Sequence, residues 1–115
     1  MRFATVITFL ILVAAAGCSC LPSITVRNQS TLTLSNVVLS GSGFSERIGT
    51  IPAGQDHQLV VRPRGESGVR LVFDAGTQHV DSGPQGYFES GGGYRVAATI
   101  STNLSVDVSV DLRPY

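Results

Sequence analysis

The sequence predicts an all-β domain: an immunoglobulin-like antiparallel β-sandwich of seven or eight short strands, behind an N-terminal signal helix that is cleaved. Three observations carry this. Leu104, Val106, Val108, Val110 and Leu112 alternate with Ser105, Asp107, Ser109 and Asp111, the pattern of a strand with one buried and one wet face. Turn signals rich in Gly, Pro, Asn and Ser recur every 8–12 residues or so. No helical period appears after residue 22, and Val, Thr and Ser are abundant there. A small barrel is the alternative arrangement of the same strands. No Cys…Trp…Cys signature is present, so an antibody-type domain is excluded.

The elements follow in order. Ile24 and Val26 alternate with Thr25 and Arg27, and Asn28-Gln29-Ser30 reads as a turn. Leu32 and Leu34 share one parity, but Val37 and Leu39 share the other. The inward face therefore switches at Ser35-Asn36, which requires a β-bulge or a break. Gly41-Ser42-Gly43 turns the chain, and Phe44, Glu46 and Ile48 share a face before Ile51. Pro52-Ala53-Gly54 is a turn; Leu59 to Val61 is a strand that stops at Pro63; Arg64–Gly68 reads as a loop. Val69, Leu71, Phe73 and Ala75 alternate with Arg70, Val72 and Asp74. Residues 78–81 form a weaker strand, Gly83-Pro84-Gln85-Gly86 a turn, and Tyr87-Phe88-Glu89 a short strand interrupted by Gly91-Gly92-Gly93. Tyr94, Val96, Ala98 and Ile100 alternate cleanly, Thr102-Asn103 turns, and the last strand follows.

At 115 residues the chain has room for one ordinary domain, assigned to 23–115. The formal net charge is zero, all eight basic residues are Arg, and no basic stripe is present, which argues against a nucleic-acid partner.

Residues 1–17 stand apart. Arg2 gives a positive start, Phe3–Ala16 is apolar except for Thr5 and Thr8, and small residues close the run: the layout of an export signal. The apolar run is shorter than the 18–20 or so residues that span a bilayer. Ala15-Ala16-Gly17-Cys18 resembles the lipobox of bacterial lipoprotein precursors, with Ala15 where Leu is commonest. The resemblance implies cleavage before Cys18, acylation of its thiol and new amino group, and attachment to a lipid bilayer. By the same likeness Ser19, not being Asp, implies sorting to the outer membrane of a Gram-negative cell, facing the periplasm. Residues 18–22 then form the lipidated terminus and a short tether. The alternative is a soluble secreted chain cut after Ala16, leaving Cys18 and Cys20 as thiols whose disulfide would be strained.

No catalytic residue, metal ligand set or cofactor site is assigned. His57 and His79 are the only histidines; Asp56 and the pair His79-x-Asp81 do not complete the three or four convergent ligands that zinc needs. No serine sits in a nucleophile elbow, and no helix follows the glycine run to cradle phosphate. The most unusual stretch is 86–95, where Tyr87, Glu89, Tyr94 and Arg95 surround a glycine loop. Aromatic and Arg side chains favour recognition, so these four are the candidate surface. Phe88 and Tyr94 packing the core is the structural alternative. Arg62, Arg64 and Arg70 form a second polar candidate.

The expectation is a small lipid-anchored envelope protein with a binding or structural role and an envelope protein as partner. Two alternatives are a secretion-apparatus component and a periplasmic enzyme inhibitor acting through loop 86–95. The first rests on architecture alone: certain outer-membrane lipoproteins of secretion systems are similar in being compact β-sandwiches that dock a periplasmic domain.

Overall fold

The computed structural model describes residues 21–112. The signal, Cys18 and Cys20 lie outside them. Nine strands form: β1 (Ser23–Asn28), β2 (Leu34–Gly41), β3 (Phe44–Ile51), β4 (Asp56–Val60), β5 (Glu66–Ala75), β6 (Gln78–Asp81), β7 (Gln85–Glu89), β8 (Tyr94–Ile100) and β9 (Val106–Leu112). One sheet runs β4-β1-β8-β9 and the other β3-β2-β5-β6, with β7 also paired to β5. No helix occurs among the described residues.

The all-β class holds, and two features of this order bear on the strand count and on the finer topology. The strands β6 and β7 lie end to end along one edge of β5: Ala75 pairs with Gln78 and Val72 with Asp81, then Val69 with Gln85 and Glu66 with Glu89. They are one line of chain broken at Ser82–Pro84, so nine strands fill eight positions. The first strand, β1, lies beside β4 and, in parallel, β8. In immunoglobulin constant domains the first strand lies beside the second instead. Parallel neighbours need a long crossover, and here the chain builds the whole of the second sheet, together with β4, between β1 and β8.

Alternation decides which side chains the two sheets share. Ile24 and Val26 of β1, with Val96, Ala98 and Ile100 of β8, face Leu34, Val37 and Leu39 of β2, Val69, Leu71, Phe73 and Ala75 of β5, and Phe88 of β7, all buried. Each large apolar side chain buried this way contributes about 1.5–3 kcal/mol. The parity switch in β2 is a bulge. Register shifts fall between Leu34 and Val38, and Asn36 takes a φ of 51°. One residue in the left-handed region lets Leu34 and Val37 both reach the core; Asn tolerates that conformation better than most residues.

Three local expectations are corrected. Glu66–Gly68 belongs to β5 rather than to a loop, because Glu66 and Ser67 pair with Glu89 and Phe88. Gln85-Gly86 belongs to β7 rather than to a turn. Leu32 is exposed in the loop before β2, and Leu104, at a φ of 66°, is buried in the turn before β9.

The edges are protected by charge. Glu46 stands on edge strand β3 opposite the buried Leu39, so an acidic side chain occupies an inward-parity position. On edge strand β9, Asp107 and Asp111 take the outward positions. Both placements discourage pairing with a further strand.

Candidate recognition surface

The chain enters at one end of the sandwich. The Val61 N–H donates to the Pro22 carbonyl at 3.2 Å, and Ser23 pairs with Val60 and with Arg95. Because β1 and β8 are parallel, the beginning of β8 lies at this end, and so does the end of β9, where Leu112 pairs with Tyr94. The other sheet reaches the same end. The Arg64 N–H donates to the Ser42 carbonyl at 2.8 Å, and Glu66 pairs with Glu89. Loops 41–44, 61–65 and 89–94 therefore cluster where residue 21 emerges.

This end holds the candidate residues, though not as one set. The Tyr87 hydroxyl donates to Glu89 Oε2 at 2.7 Å, and the ring is half exposed. The Tyr87 phenol is pushed up to about 12, chiefly by this bond, with burial and the charges of Glu66 and Glu89 adding to it. At neutral pH it is a protonated donor to Glu89. Tyr94 packs partly against the core. Its ring covers Gly92 so closely that a Cβ there would collide with it. Phe88 is fully buried and tilts against Phe44 with ring centroids 6.3 Å apart.

Arg95 is separated from the other three. It follows Tyr94 on the same strand, so it points to the opposite face of the sheet. There it pairs in register with Asp111 and Ser23 on the outer surface of the β4-β1-β8-β9 sheet. That surface is a shallow depression of about 380 Å³ whose lining includes Arg27, Gln58, Arg95 and Asp111. No ion pair joins Arg95 to Glu89 among the described residues.

The remaining polar candidates are dispersed. Arg70 binds Asp81 through two hydrogen bonds, of 3.0 and 2.5 Å, on the outer face of β5 and β6, away from Arg62 and Arg64. His79 Nδ1 meets Asp74 Oδ1 at 2.6 Å, and Asn36 Nδ2 donates to Asp74 Oδ2 at 3.0 Å. His79 and Asp81 thus engage different cross-strand partners. His57 lies on β4 in the other sheet, opposite Val26. Among the described residues no three of His, Cys, Asp and Glu converge as metal ligands would.

One organising residue escaped the sequence reading. Asn28, expected in a turn, ends β1 with its side chain buried. Its Nδ2 donates to the carbonyls of Leu32, Ile51 and Pro52, and its Oδ1 accepts from the Ser30 amide and hydroxyl. The Gly54 N–H donates to its carbonyl at 2.8 Å. It fixes the loops at the end opposite the chain entry. The β-turn signal at 28–30 marked the place but not these long-range partners.

No protein family and no curated protein matches the chain in sequence. A solved structure is similar in fold: the NMR structure of a protein from Eubacterium rectale, with a TM-score of 0.56 and 15% identity over 84% of this chain and 94% of that one. Among the described residues no helix is long and apolar enough to cross a membrane.

Proposed function

We propose that the chain is a small envelope lipoprotein, held to the outer membrane through acylated Cys18 and serving a non-catalytic binding or structural role in the periplasm. The observation that carries this is the junction between signal and domain. The lipobox-like Ala15-Ala16-Gly17-Cys18 closes an apolar run, and Pro22, four residues on, is already hydrogen-bonded to Val61. Several acyl chains give stable anchoring where one gives reversible binding. In its layering, two sheets over one core, the domain is comparable to immunoglobulin-like modules that bind through loops and sheet edges.

An inhibitor acting through loop 86–95 is less well supported. That loop shares the end at which the chain arrives from Cys18, so an anchored protein would turn it toward the membrane.

Mass spectrometry of the mature N-terminus tests the anchor. The expected species begins at an acylated Cys18 and partitions with membranes, and Cys18→Ala abolishes both properties. A soluble mature protein beginning at Gly17 overturns the reading.

A further inference from the structure

The two ends of the sandwich differ in charge. At the end distant from the chain entry, loops 29–33, 52–55, 76–77 and 101–105 carry no charged residue. At the entry end, loop 61–65 carries Arg62 and Arg64, both exposed, and the loop tips 42–43 and 90–93 carry no charge. The carboxylates Glu66 and Glu89 stand one step back on strands, Glu89 keeping its charge while it accepts from the Tyr87 hydroxyl, and Asp111 lies opposite Arg95 on the outer face. Among the described residues the loop tips of this end thus carry only positive charge, at Arg62 and Arg64, with half-exposed Tyr87 on the adjoining strand β7.

Chain length then limits what this surface can face. Leu21 is three residues after Cys18. At about 3.3–3.6 Å per residue, that segment reaches roughly 10 Å when fully extended. The opposite loops lie farther out by the length of β1, about 20 Å at some 3.3 Å per residue. Arg guanidinium groups match phosphate geometry, and tyrosine rings are enriched at the level of lipid headgroups.

We propose that the entry end of the sandwich is a membrane seat: Arg62 and Arg64 bind lipid phosphates, Tyr87 rests in the headgroup layer, and the uncharged loops ordered by Asn28 face outward. The inference rests on the anchor reading and adds to it a fixed orientation. An acyl tether alone would let the domain tumble.

The test uses the full acylated chain carrying Cys20→Ser, reconstituted in phosphatidylcholine–phosphatidylglycerol vesicles. An environment-sensitive dye is attached at Ser90→Cys in one sample and Gln55→Cys in another, and quenching by headgroup spin-labelled lipid is measured. Quenching several-fold stronger at position 90 than at 55 is expected, with the difference reduced in the Arg62→Gln/Arg64→Gln double variant. Both arginines are exposed, and the double variant keeps the Arg64 backbone bonds to Ser42. Equal quenching at both positions, or a difference that the double variant leaves intact, overturns the seat while the anchor stands. A chain with unmodified Cys18 that does not float with vesicles overturns both.

Discussion

Asn28 Nδ2 donates to the Ile51 carbonyl at 3.0 Å, joining the end of β1 to the end of β3 across the two sheets. With its bonds to Leu32, Pro52 and Ser30, this one amide satisfies backbone groups from two loops. The network is complete: among the described residues no buried side-chain polar atom lacks a partner. Leaving buried polar groups unpaired costs about 1–3 kcal/mol. Asn28→Ala is therefore expected to destabilise the domain by about 2–3 kcal/mol, read from the urea midpoint. Asn28→Asp, which keeps the acceptor but loses both donors, should not restore it.

The outer face of β5 and β6 predicts sensitivity to acid. Asp81 is held well below the ordinary carboxylate value of 3.8 by the Arg70 guanidinium and the Gly83 N–H. Asp74 is lowered by hydrogen bonds from His79 and Asn36. A carboxylate depressed in the folded state adds stability that is complete above its unfolded value and is lost as falling pH protonates the folded form. Thermal stability should decline below about pH 4. Asp81→Asn should flatten that limb and lower Tm slightly at neutral pH. The contribution is small because these groups are exposed and screened. Thermal melts from neutral to strongly acidic pH check this.

Tyr87 makes the complementary prediction in base. Its folded value of about 12 stands above the ordinary 10.0. Its contribution to stability is therefore full below pH 10 or so and is lost as pH rises through about 12. Ultraviolet titration should resolve one late-ionising tyrosine, and Glu89→Gln should bring it toward the ordinary value. A Tyr87 that titrates with the other tyrosines would show that the bond to Glu89 does not persist in solution.

Gly86 marks where β7 passes β9. Its φ is 75°, and a Cβ there would lie 2.9 Å from Val108 Cγ1 and 3.3 Å from Val110 Cγ2. Gly54 has a similar φ of 77° with nothing within 4 Å. Gly54→Ala should cost about 1–2 kcal/mol, from backbone strain alone. Gly86→Ala should cost more, by about 1–3 kcal/mol, because the collision adds to the strain. Equal losses in denaturant would mean that β9 yields to β7 without penalty.

Much of the local structure was legible because strand patterning is local. The period-2 alternation of Val69–Ala75 and of Tyr94–Ile100 names the faces that the sheets bury, whereas in β9 the same alternation leaves Val106, Val108 and Val110 half-buried and Leu112 exposed. The parity change at Ser35-Asn36 foretold the bulge for the same reason. The candidate surface was legible only in part. Adjacent residues on a strand face opposite ways, so Tyr94 and Arg95 were bound to part once both lay in β8.

Tertiary structure alone decided which strands meet. The parallel pairing of Ile24 with Val96, the sharing of one β5 edge by β6 and β7, and the reach of Asn28 to Ile51 all join residues far apart in sequence. No short window encodes them, because they follow from burying one continuous apolar surface between two sheets. The same packing placed the cationic loop 61–65 and Tyr87 at the end where the chain arrives. The sequence by itself determined that three residues separate Cys18 from Pro22; the fold determined at which end of the domain Pro22 enters.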